Sequence, residues 1–110
     1  MKYTKVQVGN TTWYRFGESH EIRIDCLGLY GLLCVKVFKR TDTIFEDLVE
    51  SVKMVCSLEK DNKLQWEIVA DNKFLDCVAR RAGFQVHRQF RPRHKRSILV
   101  KVYQLKEPLY

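Results

Sequence analysis

Few of the features that mark special classes of protein occur in this 110-residue sequence. It has two prolines and five glycines, too few for a collagen-like or low-complexity chain. A membrane-spanning helix needs about 20 consecutive apolar residues, whereas the apolar segment 26–37 is interrupted by Lys36 and two glycines. The opening segment 1–5 lacks the apolar stretch of a secretory signal. We therefore expect one domain over residues 1–110 that lies inside the cell and does not contact a membrane.

Closely spaced metal ligands are absent as well. The four cysteines are 8, 22 and 21 residues apart, and they are Cys26, Cys34, Cys56 and Cys77. No Cys-x-x-Cys pair occurs, and the three histidines do not supply the close ligand pairs of a zinc site. We predict no metal. Without a secretory signal, reduced thiols that fill space in the core are the expected state.

Acidic residues are missing from the C-terminal quarter. Residues 80–106 contain nine Lys and Arg and no Asp or Glu, so this segment carries +9, whereas the remaining 11 basic and 13 acidic residues sum to −2. A one-sided basic segment is typical of a chain that binds an acidic protein surface or nucleic acid. A solvated hairpin tip is the alternative interpretation. The residues predicted to bind such a partner are Arg88, Arg91, Arg93, Lys95 and Arg96, with Phe90 beside them as a surface for base stacking.

Apolar periodicity predicts an α+β fold with the element order β-β-β-β-α-β-α-β-β. Period-two alternation indicates four strands within the first 40 residues, and helical spacing follows from Ile44 to Leu58. A strand over residues 64–70 precedes a second helix, which Asp71 or Asn72 caps and Gly83 ends. A last hairpin combines residues 84–90 with 97–105.

The second half of this order resembles the GNAT N-acetyltransferase superfamily. The stretch from Val69-Ala70-Asp71-Asn72 to Ala82-Gly83-Phe84 carries the likeness, because in that family a diverging strand ends near an Asn and a short helix then stops at a Gly-Phe pair. The resemblance covers residues 20–106. It implies a mixed, mostly antiparallel sheet with two helices packed on it. Short, degenerate domains of this kind are also similar to small internal virion proteins of tailed phages.

The same resemblance implies an acetyl-CoA site that this sequence supports poorly. In the family a glycine-rich loop at the start of the long helix holds the pyrophosphate, and here that segment is residues 40–45. Arg40 fits the pattern, and Asn72 is the second position that would contact the cofactor, but Thr43 and Phe45 replace small residues. Thr43 and Glu46 also predict a capping box that occupies the first-turn amides. Four carboxylates would oppose a polyphosphate there, and they are Asp42, Glu46, Asp47 and Glu50.

Catalytic groups are not apparent either. The family's general acid, a Tyr seven residues after the Asn, corresponds to Ala79, and the Gly9-Asn10 turn leaves no room for the helices that shape the acceptor site. The favoured function is a catalytically degenerate binding or assembly component, cytoplasmic or virion-associated, that acts through its basic C-terminal hairpin. The alternatives are a CoA-dependent N-acetyltransferase and a nucleic-acid-binding module.

Overall fold

A computed structural model describes residues 1–105 of the chain. Its elements in chain order are β1 (Thr4–Val8), β2 (Thr11–Phe16), β3 (His20–Leu27), β4 (Tyr30–Val37), α1 (Ile44–Leu58), a short 3-10 helix (Lys60–Asn62), β5 (Gln65–Ala70), α2 (Lys73–Arg81), β6 (Gln85–Phe90) and β7 (Val100–Gln104). The strands form one seven-stranded sheet in the order β1-β2-β3-β4-β5-β7-β6. The predicted α+β class and element order are confirmed. No helix within residues 1–105 is long and apolar enough to cross a membrane.

Both helices pack on one face of this sheet. Alternate residues of β2 to β5 are buried beneath them, as the period-two pattern predicts, and they include Tyr14, Ile22, Leu33, Trp66 and Ile68. The helices contribute Leu48, Val52 and Val55 from α1 and Val78 and Ala79 from α2. The intervening strand residues point away from the helices, and we call their surface the open face. Among the described residues, no helix covers the open face.

Strands β4 and β5 run parallel and then diverge. They are paired only from Tyr30 to Leu33 on β4 and from Gln65 to Ile68 on β5. Beyond Leu33, β4 continues to Val37 without pairing with β5, whereas β5 continues to Ala70 paired with β7. The ends of the two strands therefore bound a V-shaped opening, which we call the cleft. The divergence expected from the GNAT resemblance is present.

The end of α2 is set by local sequence. Gly83 has a φ of +96°, a conformation that is costly for residues with a Cβ. The Gly83 amide donates to the Arg80 carbonyl at 3.1 Å, and the Phe84 amide donates to the Ala79 carbonyl at 3.0 Å. These two bonds satisfy the last carbonyls of the helix in a Schellman motif. The predicted Gly-Phe helix stop is confirmed.

The cysteines only partly match their predicted packing role. Cys56 is buried on α1, and burial raises the pKa of its thiol to about 12. Cys26 and Cys34 are half-buried, and Cys77 is exposed. The prediction is therefore wrong for Cys77, which lies on the solvent side of α2 because the core face of that helix passes through Val78 and Ala79.

A buried histidine links β3 to α1. His20 is 2% exposed, its Nε2 lies 2.7 Å from the Ser51 hydroxyl, and its Nδ1 lies 3.0 Å from the Ser19 hydroxyl. The Ser51 hydroxyl also lies 2.7 Å from the Asp47 carbonyl, to which it can donate, and 3.1 Å from the Met1 sulfur. Burial lowers the pKa of His20 from its usual 6.5, against the opposing charge of Asp47. Burial in the fold therefore favours the neutral form of this ring.

Acidification should consequently destabilise the fold. Because the pKa of His20 is lower in the folded chain than in the unfolded chain, only the unfolded chain binds this proton readily just below pH 6.5. The free energy of unfolding should therefore fall as the pH decreases below 6.5. Above pH 6.5 this contribution to stability is retained in full. Urea unfolding at a series of pH values measures this slope. In His20→Gln, where the exposed His87 and His94 remain, the slope below pH 6.5 should be smaller. An unchanged slope would show that His20 is not its source.

Candidate functional site

The cleft lies between two helix N-termini. α1 begins seven residues after β4 ends, and α2 begins three residues after β5 ends. The first turns of both helices therefore lie at the end of the sheet where β4 and β5 finish, which we call the cleft end. Free amides at helix N-termini can bind anions. Whether this end can hold a phosphate-rich cofactor depends on the side chains around those amides.

The predicted capping box at the start of α1 is wrong. The Thr43 hydroxyl accepts no hydrogen bond from the helix and instead donates to Oδ2 of Asp47 at 2.9 Å. Its backbone has φ −108° and ψ 13°, which is not the extended conformation that an N-cap residue normally uses. Within residues 1–105, the Phe45 and Glu46 amides have no hydrogen-bond partner. The first turn of α1 is not sealed by its own side chains.

Negative charge surrounds these amides instead. Glu46 and Asp47 lie in the first turn, with Asp42 before it and Glu50 one turn further along. Carboxylates near a helix N-terminus satisfy the helix dipole and repel another anion. Arg40, the predicted cofactor-binding residue, has its guanidinium 5.7 Å from the centre of the Phe74 ring. It is therefore positioned over an aromatic ring of α2.

Two phenylalanines connect the helix N-termini. Phe45 is the second residue of α1 and Phe74 is the second residue of α2. Their rings are 6.1 Å apart between centroids and inclined by 66°, an edge-to-face contact, and both side chains are half-buried. This contact bridges the two first turns at the cleft end. A ligand that passes between these turns would have to separate the rings.

Asn72 caps α2. Its side-chain oxygen accepts a hydrogen bond from the Leu75 amide at 2.9 Å, and its side-chain nitrogen donates to Asp71 at 3.1 Å. Of the two caps that the sequence allowed, the structure selects Asn72. Ala79, at the position of the family's general acid, is fully buried in the core. In this structure Asn72, which the resemblance assigns to the cofactor, caps a helix. Ala79, at the position of the family's general acid, fills the core.

Loss of this cap should destabilise α2. Asn72→Ala removes the acceptor for the Leu75 amide, and such substitutions cost about 0.5–2 kcal/mol. Asn72→Asp keeps an acceptor oxygen at the same place and should cost much less. Chemical unfolding followed by circular dichroism compares the two variants. Equal losses in both would contradict the capping role.

The basic hairpin projects from the same end of the sheet. β7 is antiparallel to both β5 and β6, so β6 runs in the direction of β4 and β5 and also finishes at the cleft end. All six residues of β6 are exposed on the edge of the sheet. The connection to β7 covers residues 91–99, which is longer than predicted because β7 begins at Val100. We call residues 91–96 the basic hairpin loop.

The five predicted basic residues lie on β6 and in the basic hairpin loop that follows it. The Arg91 guanidinium donates to the Arg96 carbonyl at 3.0 Å across the loop, and the Arg88 guanidinium lies 5.6 Å from the Phe90 ring centre. Among the described residues, none of the five has a carboxylate within salt-bridge distance. Lys106, the last cation of the basic segment, is outside the described residues.

A second group of basic and aromatic residues was not predicted. Phe38 is 41% exposed, with the Arg15 guanidinium 4.6 Å and the Lys36 ammonium 5.3 Å from its ring centre. The Arg15–Phe38 pair is 23 positions apart in sequence. The alternation of apolar and polar residues in β2 and β4 predicts that Arg15 and Lys36 point away from the core. It does not predict that both reach the Phe38 ring, because that depends on the strand register.

Comparison with known proteins supports the fold. No protein-family model and no curated protein sequence matches the chain. A crystal structure from Sphaerobacter thermophilus, described as a "putative acetyltransferase", matches with a TM-score of 0.58 at 15% sequence identity. The match covers 86% of this chain, and the chain spans 66% of the length of that protein. At this identity the likeness concerns architecture: a GNAT-like sheet with two helices on it.

Proposed function

We propose that this chain is a GNAT-fold binding protein that has lost acetyl transfer and binds an anionic partner through its basic hairpin. The observation that carries the proposal is the distribution of charge at the cleft end. Carboxylates surround the first turn of α1, whereas the cations of the hairpin extend from the edge of the sheet without acidic partners among the described residues. An anion approaching this end meets attraction at the hairpin and repulsion at the helix.

Coenzyme A fits these residues poorly. Two free amides, those of Phe45 and Glu46, favour a phosphate at α1. Against them stand the first-turn carboxylates, the bulk of Phe45 where a close backbone approach needs a small residue, and the contact of Phe45 with Phe74. Arg40 offers one cation, and it lies over Phe74. The residues at the cleft end therefore do not fit coenzyme A.

The hairpin suits a polyanion better than a small ligand. Its cations are spread along a strand and a loop, so they match a partner with several separated negative charges. Such charge raises the rate of encounter over long range and is screened by salt. We propose further that the chain acts in assembly within a phage particle, as the resemblance stated from the sequence suggests, where the partner would be an acidic protein surface or the packaged nucleic acid.

Heparin-affinity chromatography tests the anion-binding part. The variant has four cations changed to Gln at 88, 93, 95 and 96, and it keeps Arg91 because that residue shapes the loop. The matched control changes four exposed cations elsewhere, which are Lys53, Lys60, Lys63 and Arg81. The hairpin variant should elute at lower salt than the control, although both have the same net charge. Equal elution of the two variants would refute a specific role of the hairpin.

A further inference from the structure

Two exposed aromatic rings lie on the open face near the cleft end, and each has basic side chains around it. Phe38 and Phe90 are 41% and 43% exposed. The Arg15 and Lys36 cations lie over the Phe38 ring and the Arg88 guanidinium lies over the Phe90 ring, 4.6 to 5.6 Å from the ring centres. Buried aromatics stabilise a core, but exposed rings close to cations are suited to a partner that carries planar groups next to negative charges.

The strand register places both rings on the same face. Arg15 pairs with Glu21, and Glu21 pairs with Lys36, in a row that alternates with core residues of β2 and β3. Phe38 contacts both ends of this row, so it lies over the open face. On β6, Arg88 pairs with Val102 and Phe90 with Val100. Both valines alternate with Tyr103, which packs in the core beneath the helices.

The two rings are far enough apart to hold different bases. β4 and β6 are separated by β5 and β7, so three strand spacings of about 4.8 Å give a separation of about 14 Å before the divergence of the cleft is added. Val69, which is 40% exposed on β5, lies on the open face between them. This arrangement has the two parts of a single-strand binding surface: stacking platforms and a cationic path for the phosphates.

The acidic groups of the open face leave that path positive. Asp25 is paired with Arg23 at 3.2 Å, and Glu67 accepts a hydrogen bond from Gln104 at 2.6 Å near the opposite end of the sheet. Glu21 has Arg15 and Lys36 on either side of it in the register, and Glu67 lines a pocket together with Arg88. The basic hairpin loop continues the positive charge beyond Phe90.

We propose that the open face binds single-stranded nucleic acid, with bases stacked on Phe38 and Phe90 and phosphates bound by Arg15, Lys36, Arg88 and the basic hairpin loop. The proposal names the anionic partner of the hairpin and so rests on the proposed function. A duplex keeps its bases stacked on one another, and an acidic protein surface does not present a regular series of unstacked bases to the rings. A single strand uses both features of the face.

Fluorescence anisotropy with labelled oligo(dT) tests this assignment. Base stacking on an aromatic ring is worth about 1–3 kcal/mol, so Phe38→Ala and Phe90→Ala should each weaken binding about fivefold or more. Phe38→Trp should retain affinity. Leu29→Ala, which truncates a 78% exposed side chain in the β3–β4 turn, is the matched control and should not change binding. Thermal unfolding of each variant confirms that the fold persists.

These measurements distinguish binding of single-stranded nucleic acid to the open face from anion binding by the hairpin alone. Loss of oligo(dT) binding in both Phe variants, with heparin retention unchanged, supports the stacking assignment. Unchanged oligo(dT) affinity in both variants, or equal weakening of duplex DNA binding, overturns it and leaves the hairpin proposal in place. Capture of poly-glutamate but not of oligo(dT) also overturns it. If the hairpin variant elutes from the heparin column at the same salt concentration as the control, the proposed function itself fails.

Discussion

Gly31→Ala should lower the free energy of unfolding by about 1–3 kcal/mol, the usual cost of overpacking a core. Gly31 pairs with Trp66 in the joined part of β4 and β5, just before the two strands diverge. A Cβ at this position would lie 2.7 Å from Cε3 and Cζ3 of the Trp66 ring and 3.2 Å from Cδ1 of Leu64. Trp66 is 2% exposed, so its ring cannot move into solvent to relieve the clash.

A double-mutant cycle identifies the cause of this loss. Trp66→Leu removes the ring atoms that the new Cβ would meet, although it destabilises the fold by itself. Gly31→Ala should therefore cost less in the Trp66→Leu background than in the wild type. Urea unfolding of all four proteins gives the coupling energy. An equal cost in both backgrounds would show that the Trp66 contact does not account for the effect.

Glu59→Ala should destabilise the fold by about 1–3 kcal/mol, because it leaves a buried hydroxyl without a partner. The Tyr14 hydroxyl donates to Glu59 Oε2 at 2.9 Å, and Tyr14 is 1% exposed. Burial and the neighbouring carboxylate both raise the pKa of Tyr14, so it donates throughout the physiological range. Lys5 forms a 3.1 Å ion pair with the same oxygen. Glu59 thus joins the end of α1 to β1 and β2.

The Glu59→Gln variant separates the hydrogen bond from the ion pair. An amide oxygen still accepts from Tyr14, whereas the ion pair with the largely exposed Lys5 is lost, and such pairs contribute less than about 1 kcal/mol. Chemical unfolding at neutral pH should therefore place Glu59→Gln close to the wild type. If Gln destabilises as much as Ala, the ion pair is the main contribution and the assignment to Tyr14 is wrong.

Local signals predicted the elements well. Helical spacing gave α1 its observed bounds of Ile44 to Leu58. For α2, the sequence placed the cap at Asp71 or Asn72 and the stop at Gly83, and the structure has the cap at Asn72. These features depend on residues within a few positions of one another. The capping box at Thr43 is local too, but the sequence offers the hydroxyl a competing carboxylate at Asp47, and the structure forms that contact. Pattern alone does not decide between the two.

Contacts between residues that are far apart in the sequence could not be predicted from local patterns. The Phe45–Phe74 pair joins two helices, and the Arg15–Phe38 pair depends on the register of three strands. Both change the functional interpretation, since the first bridges the helix N-termini at the cleft and the second adds an aromatic platform to the open face. The basic hairpin was visible as composition, but its position at the cleft end follows from the sheet order.

Binding of acetyl-CoA is the most direct test of whether this chain has lost acetyl transfer. A ligand at 100 times its dissociation constant stabilises a fold by about 2.7 kcal/mol, so millimolar acetyl-CoA would visibly raise the melting temperature of a protein that binds it at micromolar levels. We predict no shift in thermal unfolding and no heat of binding by calorimetry. Saturable stabilisation by acetyl-CoA, reduced in Arg40→Ala, would contradict the account and assign the cleft to an acetyltransferase.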